Sequence, residues 1–121
     1  MAATIGLNLV PGTIAAGQSL SGAINLGAER ARGIVMPGVW TAAVITFQVS
    51  VDGTNFLELL DPRPTIGYSS SAGYTVAVSQ YVVLDPVIFD GVNIIKIRSG
   101  TSGSPVNQIA QAVLNIVTRL Y

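Results

Sequence analysis

From Ile45 to Val51 the chain alternates apolar and polar residues strictly, as Ile45-Thr46-Phe47-Gln48-Val49-Ser50-Val51. Successive side chains of a strand point to opposite faces, so Ile45, Phe47, Val49 and Val51 are expected on one face and Thr46, Gln48 and Ser50 on the other. Asp52-Gly53-Thr54-Asn55 follows, and then Phe56-Leu57-Glu58-Leu59-Leu60. A Gly able to take positive φ between two β-rich runs predicts a hairpin.

The same short alternation, cut by Gly, Pro, Ser and Asp, continues along the chain and predicts an all-β sandwich or barrel. Leu20, Gly22, Ile24 and Leu26 alternate with Ser21, Ala23 and Asn25. Asn93 to Arg98 reads as a strand with Ile95 and Ile97 inward and Lys96 and Arg98 outward. Gly33 to Met36, Tyr74 to Val78 and Tyr81 to Leu84 are further strand candidates. Ile109 to Tyr121 suits either a strand or a helix, because Val113, Ile116, Val117 and Leu120 also make a helical stripe. Asn115, Thr118 and the β-branched content favour the strand. Gly100-Thr101-Ser102-Gly103-Ser104-Pro105 reads as the loop before it, and Ser69 to Gly73 as another turn. These pieces fit one antiparallel sandwich of roughly eight strands over residues 18–121. Residues 1–17 either fold in or extend onto a neighbour, and the interruptions at Pro11-Gly12 and Ala15-Ala16-Gly17 favour an arm.

With 121 residues the chain suits one domain. Only 10% of its residues are charged while 50% are hydrophobic, against roughly 25% charged in an average domain. So few charges leave apolar surface, which ordinarily marks contact sites. A homo-oligomer or larger assembly is therefore expected. Net charge is zero and no basic cluster exceeds Arg30 with Arg32, so the electrostatic footprint of a nucleic-acid binder is missing. Residues 1–10 lack the basic start of a signal peptide, and no apolar run is long enough to cross a bilayer. No membrane partner is expected.

Histidine and cysteine are absent. That removes Ser-His-Asp and Cys-His catalysis and the usual zinc ligands. Asp52, Asp61, Asp85 and Asp90 stand beside Gly or Pro, where a carboxylate commonly caps nearby backbone N–H groups. Glu29 and Glu58 complete the six carboxylates. No loop has the dense Asp/Asn spacing of a calcium site, and Gly100 to Ser104 lacks the Lys of a phosphate-binding loop. No catalytic residue, cofactor or metal is expected. Trp40, Tyr68, Tyr74, Tyr81 and Tyr121 are the aromatic candidates for glycan binding, although Trp40 is better placed to plug the sandwich.

Three runs carry a resemblance. They are Ala16-Gly-Gln-Ser-Leu-Ser-Gly22, Gly33-Ile-Val-Met-Pro-Gly-Val-Trp40 continuing through Phe47-Gln-Val-Ser50-Val-Asp-Gly53 to Phe56, and Val87-Ile-Phe-Asp-Gly-Val-Asn-Ile-Ile-Lys-Ile-Arg98 continuing to Pro105-Val-Asn-Gln. Together they resemble small virion proteins of tailed bacteriophages: capsid decoration (cement) proteins, head-spike bases and tail-associated components. The hairpin is also similar to that of galactose-binding-like sandwiches. The resemblance implies a jelly-roll-like β-sandwich made in the bacterial host cytoplasm and carried on the virion. Its partners would be copies of itself, with a trimer favoured, and the major capsid protein. Spike-base, connector or tail positions and a glycan-binding spike module are the alternatives. Contacts are expected near Met36, Tyr68 and the loop of Ser99, Thr101, Ser102 and Val106.

Overall fold

A computed structural model describes residues 8–60 and 73–120. The described chain is all-β: β1 (Asn8–Ile14), β2 (Ile24–Asn25), β3 (Arg30–Val35), β4 (Ile45–Ser50), β5 (Leu57–Glu58), β6 (Tyr81–Val83), β7 (Ile94–Ser99) and β8 (Ala112–Arg119). A 3-10 turn, Pro86–Phe89, precedes β7. The first sheet runs β1-β8-β3-β6 and the second β2-β7-β4-β5. Pairing is antiparallel and nested: β1 with β8, β2 with β7, β3 with β6, β4 with β5.

The core lies between the sheets. Ile14, Ile34, Leu114 and Ile116 face inward from the first, and Ile24, Ile45, Phe47, Ile95 and Ile97 from the second, all buried. Phe89 meets Phe47 edge to face at 5.1 Å and Tyr74 meets the same ring at 6.2 Å. Such offset aromatic contacts add to the apolar area removed from water, worth about 25 cal/mol per Å2. Gly12 lets the sheets approach, since a Cβ there would stand 2.6 Å from Ile24 Cδ1 and 3.0 Å from Ile97 Cδ1.

The connections gather at two ends. Residues 15–23, 36–44, 73–80 and 100–111 meet at one end, tied by bonds such as Gly17 N–H to Gln108 O at 2.7 Å, Ser79 N–H to Pro37 O at 3.0 Å and Gly100 N–H to Val44 O at 2.7 Å. Residues 26–29, 51–56 and 84–93 form the other end, where Leu26 N–H donates to Asn93 O at 2.7 Å.

The hairpin forms as expected, with Gln48 opposite Glu58 and Val49 opposite Leu57. The C-terminal segment is a strand. Several expectations need correction. Arg98 points to the outer face yet is buried, because Thr46 and Glu58 close over it. Val51 leaves the strand face and is exposed, since Ser50 already bonds the turn through Gly53 N–H. Of the Leu20 to Leu26 run only Ile24–Asn25 is strand, with Leu20 making an isolated bridge to Arg98. Tyr74 to Val78 reduces to one bridge, Tyr74 with Ile45. The candidate arm is no arm from Asn8 to Ile14: that stretch is β1, and Ile14 is fully buried. Hence no boundary falls at residue 17, and residues 1–7 lie outside the described chain.

Candidate functional site

Among the described residues, four uncharged loops share the first end. Residues 15–23, 36–44, 73–80 and 100–111 contain no Asp, Glu, Lys or Arg. Their tips expose Val39, Val78 and Ile109, the last 84% exposed. Gln108 holds them together from a buried position. Its Nε2 donates to Thr41 O at 2.9 Å and to Ser99 Oγ at 2.7 Å, while Oε1 accepts from Thr41 N–H at 2.7 Å. Its backbone joins the 15–23 loop, with Gln108 N–H donating to Gln18 O at 2.9 Å. Thr41 Oγ1 adds a bond from Ile109 N–H at 3.0 Å. A buried amide whose donors and acceptor are all used fixes loops that are otherwise free to drift.

The outer face of the first sheet is the second surface poor in charge. Register places Leu9, Val117, Gly33 and Val83 in one row across β1, β8, β3 and β6. Pro11, Asn115, Val35 and Tyr81 form the next. Leu9 is 58% exposed, Val83 73%, Tyr81 55% and Val35 39%. The Tyr81 ring lies over Gly33, where a Cβ would stand 2.3 Å from its Oη. Arg30 and Arg119, paired in register, stand at one margin of this face.

The outer face of the second sheet is the opposite in character. Arg98 Nη1 and Nη2 donate to Glu58 Oε2 and Oε1 at 3.0 and 2.5 Å, and Nε donates to Thr46 Oγ1 at 3.0 Å. Gln48 Nε2 donates to the same carboxylate at 2.9 Å. The Arg98 guanidinium therefore holds the Glu58 carboxyl below its ordinary range, against some opposition from burial. Lys96 sits over the Phe56 ring at 4.3 Å.

Charge also collects at the second end. Asp52 accepts from Asn55 N–H and Thr54 N–H, both at 2.8 Å, and from Ser50 Oγ at 3.0 Å. Those donors hold its carboxyl well below the usual aspartate range. Asp85 accepts from Val87 N–H at 3.0 Å and caps the 3-10 turn. Asp90 pairs with Arg30 at 3.1 Å, and Glu29 accepts from Thr118 Oγ1. The turn roles read for Asp52 and Asp85 are thus seen directly. Asp61 lies outside the described residues.

The expected contact residues divide. Met36 and Ser99 are buried, so neither offers surface on this subunit. Met36 packs in the core and Ser99 accepts from Gln108. Thr101 and Val106 are half-buried and Ser102 is exposed, all on the uncharged end. Tyr68 lies outside the described residues. Trp40 is half-buried against the core and donates Nε1–H to Ala43 O at 3.2 Å. Gln108 was not singled out from the sequence, and nothing in Val106-Asn107-Gln108 marks it as buried.

An open depression of about 240 Å3 at the charged end is lined by Glu29, Arg30, Phe89, Gly91 and Asn93 among others. Among the described residues no three acidic side chains gather to hold a metal ion, and no helix is long and apolar enough to cross a membrane. Comparison of the chain with protein-family models, curated proteins and solved structures gives no match.

Proposed function

We propose that the chain is a non-catalytic structural subunit of a virion, a capsid decoration protein that docks on a phage head and bridges neighbouring shell subunits. The observation that carries this reading is the segregation of charge. Among the described residues, ionised side chains occupy one end and one sheet face, while the four-loop end carries none and the opposite sheet face carries only Arg30, Arg32 and Arg119 at one margin. Desolvating an uncharged surface avoids the penalty of stripping water from ions, so these are the surfaces suited to burial. The uncharged end is the one assigned to the shell, since Gln108 holds its loops in one shape before docking. Preorganisation of that kind lowers the entropic cost of binding.

The nested strand order supports a jelly roll, an architecture used by viral capsid and lectin domains among others. Fold does not fix function, so the surfaces carry the argument. Each contact of ordinary size buries about 1,600 Å2, and high copy number adds such contacts through effective concentration. A glycan-binding module is less well supported, because the Trp40 and Tyr74 rings pack against the interior. A spike-base, connector or tail position would use the same surfaces at lower copy number.

The test is co-sedimentation of purified protein with heads lacking it. Saturable binding at a symmetry-related copy number is expected, weakened at least tenfold by Ile109→Lys or Val39→Lys. No binding to heads, tails or spikes rejects the proposal.

A further inference from the structure

We infer that the outer face of the first sheet is a contact between two copies of this chain, packed face to face about a two-fold axis. The inference deepens the assembly reading and rests on it. Four strands about 4.8 Å apart and averaging about 20 Å in length make a face of roughly 400 Å2. With side-chain relief, two copies bury about 1,000 Å2 in all, the lower bound for a specific interface.

Three observations select a second copy as the occupant. The rows Leu9-Val117-Gly33-Val83 and Pro11-Asn115-Val35-Tyr81 hold no charge, so an identical face meets it without like-charge repulsion. Among the described residues the cations of these strands, Arg30, Arg32 and Arg119, gather at one end of β3 and β8, the margin of the face. A two-fold axis perpendicular to the strands carries the two arginine margins to opposite ends of the contact. Finally, beyond the bulge at Ala31/Gly33 the face is a four-stranded surface that exposes Leu9, Val35, Tyr81 and Val83, the form that stacks on another sheet at about 10 Å with strands near 30°. The other sheet, with Arg98, Glu58, Gln48 and Lys96 outward, has no such self-complementarity. A two-fold contact makes a dimer, or joins two three-fold rings where a second interface closes a trimer.

Sedimentation velocity from about 1 μM to 1 mM tests this, with Leu9→Lys, Val83→Lys and Val51→Lys as variants. Leu9 and Val83 lie at opposite edges of the face, whereas Val51, 85% exposed, lies on the charged end. The expected result is concentration-dependent doubling of mass in the parent and in Val51→Lys, with the dissociation constant raised at least tenfold in Leu9→Lys and Val83→Lys. Retained melting temperatures would show that the exposed-site variants fold. Association that neither face variant weakens overturns the inference and leaves the assembly reading standing. A parent that stays single at 1 mM overturns the inference, and head binding by that single chain then decides the assembly reading separately.

Discussion

Replacing Gln108 by Leu keeps the side-chain volume close to the original and deletes every hydrogen bond its amide makes. The losses are the two donations to Thr41 O and Ser99 Oγ and the acceptance from Thr41 N–H. Each such bond contributes about 1 kcal/mol net, and a buried partner left unsatisfied costs about 1–3 kcal/mol. Thr41 is half-buried and recovers part of its loss from water, whereas Ser99 is fully buried. Added apolar area gives back less than about 1 kcal/mol. The net destabilisation is about 3 kcal/mol, or roughly 10 °C of melting temperature for a domain of this size. Calorimetry reads the temperature, and amide exchange reads the site: Thr41 and Ile109 N–H should lose protection while Ile97 N–H keeps it. A melting temperature within about 2 °C of the parent, with Thr41 still protected, would refute the view that this amide fastens the loops.

Gly100→Ala should destabilise more than Gly12→Ala, as measured by denaturant midpoint. At Gly100 φ is +94° and a Cβ would meet backbone at 2.5 Å, whereas at Gly12 it meets movable side-chain ends; losses of about 3 and about 1–2 kcal/mol are expected. Phe47→Ala should cost about 3–5 kcal/mol, because a fully buried ring that contacts both Phe89 and Tyr74 leaves a cavity. Glu58 has its folded pKa depressed, so its contribution is present above its ordinary value of 4.5 and is lost as pH falls through the folded value. Glu58→Gln should lower the melting temperature at pH 7 and flatten the acid limb just below pH 4.5; Asp52, whose carboxyl is also held down, keeps its own share of that limb in the variant.

The hairpin was legible because its information is local: a period of two, then Asp52-Gly53. The β8 strand was legible for the same reason, once Asn115 and Thr118 were weighed against the helical stripe. Arg98 shows where local pattern ends. Alternation puts it on the outer face, and that is where it lies, but its cover comes from Thr46 and Glu58, 52 and 40 residues away. Gln108 is a sharper case, since its role depends on Thr41, 67 residues off. Scarcity of charge foretold apolar surface, yet only the register of β1, β8, β3 and β6 shows that Leu9, Val35, Tyr81 and Val83 share one face. Met36 was expected near a contact, but it packs in the core.

The pairing of β1 with β8 also bears on how the molecule is made. Asn8 lies opposite Thr118, so β1 waits for the synthesis of a partner 110 residues further on. Only β4 and β5 can pair early, and each later pair encloses a longer loop with a larger closure entropy. Slow folding that begins at the β4–β5 hairpin and closes last where β1 meets β8 is what this geometry dictates.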